Sequence, residues 1–162
     1  MTRTGSQRKV DHDFWIGRLE QGRVYREAAE QAISLAEPGQ NMNPALSHIV
    51  LAAIAYCDCL TAKRKLVVNS GDHGAGTRLL RDAMQNLLPD SQENRLKRII
   101  GKKDEVQYGV RPNLAHQAAK MMEDLNEFAQ WVEDVIARER TPLCPLCHVV
   151  PCVCKTSRKK LR

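Results

Sequence analysis

The chain has 162 residues, enough for one domain with a hydrophobic core and too few for two domains of ordinary size. No uninterrupted apolar run reaches the roughly 18 residues of a membrane span, and the N-terminus lacks a signal-peptide core, so we expect a soluble, cytoplasmic protein. The net charge is +6, but residues 1–140 carry twenty Lys and Arg against nineteen acidic residues, while residues 141–162 carry five basic residues and none acidic. This basic tail suits nucleic acid or an acidic partner, or serves solubility alone.

The first predicted helix follows a polar N-terminus that we expect to be disordered over residues 1–9. From Asp11 onward apolar side chains recur at a loose helical period: Phe14, Ile16, Leu19, Val24, Ala28, Ile33 and Leu35. Gly17 and Gly22 interrupt the pattern, each at a cost of about 1 kcal/mol relative to Ala. The pattern predicts one long amphipathic helix that ends before Pro38.

Residues 43–66 predict the central helix of the fold. Asn43 is a favourable N-cap and Pro44 a favourable first residue, and no further Pro or Gly follows within the stretch. Between residues 49 and 60 the helix is apolar on nearly every face, which is typical of the enclosed helix of a bundle. Asp58 lies inside this apolar region. A buried carboxylate is costly without a cation or a donor, so we predict a partner for it elsewhere in the chain.

Three further helices are predicted after a glycine-rich loop. The third covers roughly residues 74–88, with Asp72 as its N-cap. The fourth covers about residues 91–108, and the fifth, from 113 to 138, has the clearest amphipathic pattern. No stretch alternates with a period of two. The body, residues 10–139, is therefore predicted to be an all-α, five-helix, up-and-down bundle.

The fourth helix carries two features of interest. Asp90 and Glu93 form a capping-box-like start. Its outer face bears the densest basic cluster of the body: Arg95, Lys97, Arg98, Lys102 and Lys103. This cluster is either a solvated face or an RNA contact.

Several motifs in residues 11–139 resemble those of small bacterial HEPN-like proteins. They are Tyr56-x-Asp58-x-x-Thr61 on the second helix, Asp72-His73 before the third, Lys103 and Tyr108 on the fourth, and Phe128-x-x-Trp131 on the fifth. The resemblance implies a helical homodimer in an RNA-linked or toxin-antitoxin and defence setting. Members of this superfamily are either metal-independent endoribonucleases or inactive binding and antitoxin partners.

Active HEPN ribonucleases carry an Arg-x4-6-His motif, and Arg111 to His116 is one match. The guanidinium of Arg111 would hold a phosphate, and an imidazole, which exchanges protons near neutral pH, would act on the 2'-hydroxyl or the leaving oxygen. Residues five apart on a helix point about 140° away from each other, so convergence requires Arg111 to lie off the helix. Its place before Pro112 permits this. That proline departs from the polar residue common in active members.

The resemblance also places a polar cluster on adjoining helices and loops, consisting of Asp58, Asp72, His73, Lys103 and Tyr108. Physically, His73, Lys103 or Tyr108 would supply the cation or donor that Asp58 needs. The cluster is either a small pocket with acid-base capacity or a polar clasp that holds the 66–73 loop against the bundle.

The tail, residues 140–162, contains a cysteine cluster followed by basic residues. Cys144, Cys147, Cys152 and Cys154, with His148 as an alternative ligand, have the character of a tetrahedral zinc site. The alternative is a disordered tail with reactive thiols. The basic residues that follow are Lys155, Arg158, Lys159, Lys160 and Arg162. They support a second functional hypothesis, a non-catalytic dimeric module that binds nucleic acid or a partner protein through its tail.

Overall fold

The structure, a computed structural model, describes residues 6–71 and 73–140. In chain order its elements are β1 (Gln7–Lys9), α1 (Phe14–Ser34), α2 (Asn43–Lys65), β2 (Val67–Asn69), α3 (His73–Met84), α4 (Asp90–Gly101), α5 (Lys103–Tyr108) and α6 (Ala115–Arg140). A single 3-10 turn, Gln85–Leu87, follows α3. The mostly helical class predicted from the sequence is confirmed.

The central position of α2 is also confirmed. This helix packs against α1, α3, α4, α5 and α6, and nearly all its side chains from residue 49 to 62 are buried. Tyr56 and Leu60 are fully enclosed. By length and composition α2 is apolar enough to cross a membrane, but 78% of that window is buried inside the bundle. The core helix of a soluble protein has the same appearance.

The buried face of α1 differs from the predicted one. Ile16, Val24 and Leu35 are exposed, while the buried positions are Trp15, Leu19, Gly22 and Ala29. Gly22 belongs to this stripe because the ring of Tyr56 packs onto its backbone, where a Cβ atom would come within 3.1 Å of the ring. The two glycines therefore have different roles, since Gly17 has open space around it.

The helix predicted for residues 91–108 divides at Lys102, the residue that separates α4 from α5. Gly101 lies at the end of α4, where its low helix propensity favours termination. The predicted capping box is absent. The side chains of Asp90 and Glu93 instead accept hydrogen bonds from Arg81 of α3, which ties the two helices together.

A small antiparallel sheet joins the N-terminus to the segment after α2. Gln7 pairs with Asn69, and Arg8 pairs with Val68. The predicted disorder of residues 1–9 is therefore wrong for 7–9, while residues 1–5 lie outside the described part of the chain. The strand forms because Val68 is buried and its segment offers backbone groups for pairing.

Candidate functional site

The Arg111–His116 motif lies at the junction of α5 and α6. Arg111 is in the coil before Pro112, and His116 is the second residue of α6. Arg111 thus meets the condition of lying off the helix. Both side chains are exposed, and neither forms a hydrogen bond or an ion pair within the described residues.

The loop that carries Arg111 is fixed to the start of α2 by an asparagine latch, Asn43 and Asn113. Asn43 Oδ1 accepts hydrogen bonds from the backbone N–H of Asn113 at 3.1 Å and from Asn113 Nδ2 at 2.9 Å. Asn43 Nδ2 donates to the Arg111 carbonyl at 3.4 Å. The sequence predicted Asn43 as an N-cap. It is instead the first residue of α2, and its side chain holds the latch.

The latch gives the motif a defined backbone while leaving its side chains accessible. Asn113 is buried, and the N–H of Met42 also donates to its carbonyl, at 2.8 Å. The guanidinium of Arg111 and the imidazole of His116 therefore project from anchored backbone. A guanidinium can bind a phosphate through two hydrogen bonds, and an imidazole can accept or donate a proton.

Most of the basic cluster on α4 is already ion-paired. The pairs are Arg95 with Asp124 and Glu127, Lys97 with Glu93, Arg98 with Asp124, and Lys102 with Glu105. The Arg98 pair is bidentate, with hydrogen bonds of 2.6 and 3.0 Å. Because these cations bind acidic side chains of the body, the geometry favours a structural, solvated face over an RNA contact.

The partner of Asp58 is Arg18 of α1. Asp58 is only 7% exposed, and its Oδ2 accepts a hydrogen bond from Arg18 Nη2 at 2.5 Å. The predicted partner therefore exists, but it is none of the residues named from the sequence. Arg18 lies on the same stripe of α1 as Trp15 and Leu19, and this helical spacing is the signal that could have identified it.

Burial raises the pKa values of two neighbouring side chains, Asp58 and Cys57. It raises the pKa of Asp58 above 3.8, while the charge and hydrogen bond of Arg18 oppose part of the rise. Burial also raises the pKa of the neighbouring Cys57 thiol well above its ordinary value, and this thiol donates to the Gly76 carbonyl at 3.6 Å. Cys57 is therefore a neutral packing residue and not a nucleophile.

A cavity of about 290 Å³ opens beside the Arg18–Asp58 pair. Arg8 of β1 and Ser70 also line it, and the guanidinium of Arg8 lies 5.3 Å from the centre of the Phe14 ring. Of the polar cluster predicted from the sequence, Asp58 lines this cavity, whereas Lys103 and Tyr108 do not. The two cations of the cavity, Arg8 and Arg18, were missed by the sequence reasoning.

Two other members of the predicted polar cluster, Lys103 and Tyr108, lie elsewhere. Tyr108 is 79% exposed at the end of α5. Lys103 lines a separate cavity near α3 that does not include Asp58. Asp72 and the side chain of His73 are outside the described residues. The structure therefore pairs Asp58 with Arg18 and places Lys103 and Tyr108 apart from that pair.

The tail predictions fall on residues that the structure does not describe. They concern Cys144, Cys147, His148, Cys152, Cys154, Lys155, Arg158, Lys159, Lys160 and Arg162. Within residues 6–71 and 73–140, no group of three or more His, Cys, Asp or Glu is placed to hold a metal ion. Zinc binding by the tail stays a prediction.

Within the described residues the fold is helical, with Arg111 exposed in the coil before α6 and His116 exposed in the first turn of that helix. No protein-family model matches this chain, and no curated protein matches its sequence.

Proposed function

We propose that this chain is a HEPN-like protein in an RNA-linked, toxin-antitoxin or defence setting, with Arg111 and His116 forming a metal-independent endoribonuclease site. One observation carries the proposal. Both side chains are exposed on anchored backbone and make no hydrogen bond or ion pair within the described residues, whereas Arg95, Lys97 and Arg98 of the body are paired. Polar groups that the fold leaves unused in this way are available to a substrate.

The chemistry follows from the two groups. Arg111 binds the non-bridging oxygens of the scissile phosphate and stabilises the negative charge of the transition state. The imidazole of His116 accepts the proton of the 2'-hydroxyl as that oxygen forms a bond to phosphorus. The bond from phosphorus to the 5'-oxygen breaks, and this oxygen takes a proton from the protonated His116 of a second copy. The products are a 2',3'-cyclic phosphate and a 5'-hydroxyl.

A homodimer follows from this mechanism because one histidine acts as the base and the other as the acid. In a toxin-antitoxin setting, a protein partner would suppress the activity by covering the exposed motif. Light scattering of the purified protein measures the oligomeric state, and we expect twice the chain mass.

The direct test is cleavage of single-stranded RNA by the full-length protein in the presence of a chelator. Arg111→Ala and His116→Ala are each expected to slow cleavage at least about a hundredfold, the usual contribution of a positioned acid or base. Matched controls are Arg138→Ala and His12→Ala, which change exposed side chains far from the motif in sequence. Equal cleavage by the motif and control variants would refute the site.

A second candidate is the non-catalytic module that binds nucleic acid or a partner through its tail. The ion pairing of the α4 cluster favours it, because Arg95, Lys97, Arg98 and Lys102 are already engaged and the five basic residues of the tail remain. Deletion of residues 141–162 should leave the helical body folded and sharply weaken RNA or DNA retention at low salt. Equal binding by the two proteins across a salt series would contradict this role.

Zinc binding by the tail cysteines would order the segment that precedes the basic residues. We propose that the four tail cysteines, with His148 as the alternative ligand, bind one zinc ion per chain. Metal analysis of protein purified without a chelator tests this, and less than about a tenth of an equivalent would argue against zinc binding.

A further inference from the structure

A second cavity, which we call the wedge cavity, lies between α4, α5 and α6 and has a volume of about 320 Å³. Lys102, the residue between α4 and α5, is part of its lining. Its apolar walls come from Leu46, Ile99, Val106 and Met121. Arg98 and Lys102 of the basic cluster also line it, but both are ion-paired, with Asp124 and Glu105 respectively. Small-molecule sites have this size and character, with a few polar groups that orient the ligand.

One cation on the rim of the wedge cavity is uncommitted. Lys120 of α6 is exposed and makes no ion pair within the described residues. Asp124, the acidic residue of the lining, is neutralised by its bidentate contact with Arg98. An anionic group would therefore be attracted to Lys120 and would meet little repulsion from the carboxylate.

Two amide side chains add a donor and an acceptor. Gln117 Oε1 accepts a hydrogen bond from the backbone N–H of Leu114 at 2.8 Å, which leaves its Nε2 as a donor. Asn113 Nδ2 donates to Asn43 at 2.9 Å, which leaves its Oδ1 as an acceptor. Both residues line the wedge cavity. A neighbouring donor and acceptor match the polar edge of a nucleobase, and apolar walls match its faces.

The wedge cavity adjoins the Arg111–His116 motif. His116 lies four residues before Lys120 on α6, so the two side chains are neighbours on one helix face. Arg111 is two residues before Asn113 in the latched loop. A nucleotide at the wedge cavity would therefore place the adjacent phosphodiester towards the motif.

We propose that the wedge cavity binds one unstacked base of single-stranded RNA, with its phosphate at Lys120. Gln117 and Asn113 read the edge of the base, while Met121, a flexible thioether side chain, adapts to its face. This inference rests on the proposed RNA-linked function and extends it with a base-specific subsite. A ligand with an aliphatic body would use the apolar walls but leave the two amides unpaired.

The test is an NMR titration of the isotope-labelled full-length protein with each of the four nucleoside 5'-monophosphates. Ribose 5-phosphate, which lacks a base, and octanoate, an aliphatic anion, are titrated in parallel. We expect at least one nucleotide to shift the signals of Val106, Gln117 and Met121, and ribose 5-phosphate to leave them unchanged. Equal binding of ribose 5-phosphate, or binding of octanoate alone, would overturn the inference.

Amino-acid substitutions test whether the nucleobase binds in the wedge cavity. Gln117→Ala should weaken nucleotide binding about fivefold, the effect of one lost hydrogen bond, while the control Gln130→Ala on the same helix should not. Met121→Trp should fill the wedge cavity and abolish binding. Gln117→Ala changes an exposed residue, so it keeps the test valid if Met121→Trp does not fold. Unchanged affinity in Gln117→Ala and in folded Met121→Trp would overturn the inference.

RNA cleavage separates this inference from the proposed ribonuclease. Nucleotide binding at the wedge cavity without any RNA cleavage would remove the ribonuclease and support the base site. Cleavage that requires His116 but has the same rate and base preference in Gln117→Ala would support the ribonuclease and overturn the base site.

Discussion

The central helix α2 has an arginine near each end, and the two arginines differ in how their charges are used. Arg18 and Asp58 form a largely buried ion pair beside the later half of α2. Near its first turn the Arg111 carbonyl accepts a hydrogen bond from Asn43, and the side chains of Arg111 and His116 are exposed. Asn43 and Asp58 are fifteen residues apart, which is about 22 Å along a helix.

The comparison distinguishes charged side chains that are paired within the fold from charged side chains that are exposed to a ligand. At the Arg18–Asp58 end the two charges are paired with each other, although burial still raises the pKa of Asp58 and Arg18 Nε has no hydrogen-bond partner within the described residues. At the Arg111–His116 end the backbone is anchored by the asparagine latch, but the side chains have no partner within the described residues. Substitutions at the first end should therefore alter stability, and substitutions at the second should alter binding or catalysis.

The largest expected effect on stability is that of Asp58→Ala. The change leaves the guanidinium of Arg18 without its carboxylate, and we expect a loss of about 1 to 3 kcal/mol in the free energy of unfolding. Chemical denaturation measures this loss. Asp82→Ala on an exposed face of α3 is the matched control and should have little effect. An unchanged denaturation midpoint in Asp58→Ala would show that the pair contributes nothing.

The same carboxylate predicts a pH dependence. Burial raises the pKa of Asp58 in the folded state above 3.8, so the folded protein binds its proton more tightly than the unfolded chain does. Stability from this group is therefore fully present below pH 3.8 and is lost as the pH rises through the folded pKa. Asp58→Asn should lack this component when unfolding is measured across that window. The opposite slope would mean that Arg18 outweighs burial.

Substitution of the two glycines of α1 by alanine should change stability in opposite directions, because only Gly22 packs against α2. Gly22→Ala places a methyl group 3.1 Å from the ring of Tyr56, which is fully enclosed, and should destabilise the protein by about 1 to 2 kcal/mol. Gly17→Ala meets open space and should stabilise it by about 0.5 to 1 kcal/mol through helix propensity. Thermal unfolding of the two variants tests the predicted opposite signs. A stabilising Gly22→Ala would show that the Tyr56 ring can move to accommodate the added methyl group.

Loss of the asparagine latch should have a smaller effect on stability, but it should reduce both the free energy of unfolding and the RNA cleavage or binding at the motif. Asn43→Ala leaves the buried backbone N–H of Asn113 without its acceptor, and we expect a loss of about 1 kcal/mol. RNA cleavage or binding at the motif should weaken as well because the Arg111 loop is no longer held. Asn94→Ala, an exposed change on α4, is the control. Loss of stability with unaltered RNA activity would show that the latch does not position the motif.

The smallest expected effect on stability is that of Arg111→Ala. Its exposed guanidinium makes no hydrogen bond or ion pair within residues 6–71 and 73–140, so the free energy of unfolding should change by less than about 0.5 kcal/mol. Chemical denaturation alongside Asp58→Ala measures this contrast directly. A loss comparable to that of Asp58→Ala would place Arg111 among the structural charges.

The sequence predicted the features that repeat along the chain and missed those that depend on long-range geometry. The apolar run of α2 and the period of α6 identified the helices, because each pattern is local. The sequence also predicted that the buried carboxylate of Asp58 needs a partner. The identity of that partner depends on how α1 lies against α2, and two residues forty positions apart carry no local sign of pairing.

Side-chain choices at helix ends were the least predictable. Asn43 and Glu93 have the chemistry of caps, but each bonds to another element because Asn113 and Arg81 offer better partners in the folded chain. Strand β1 was missed because three residues are too few for an alternating pattern. The Arg111–His116 motif could be located from the sequence, whereas the absence of hydrogen bonds and ion pairs to its side chains from the described part of the chain could be seen only in the fold.

The short sheet has a consequence for how the Arg18–Asp58 cavity exchanges its contents with solvent. Arg8, which lines that cavity, is held by a three-residue strand paired in a single two-stranded sheet. Such a sheet is marginally stable in isolation, so we expect the pairing of residues 7–9 with 67–69 to open more readily than the helical bundle unfolds. The lifetime of any molecule in the cavity would then be set by the fraying of strand β1 and not by unfolding of the helical bundle.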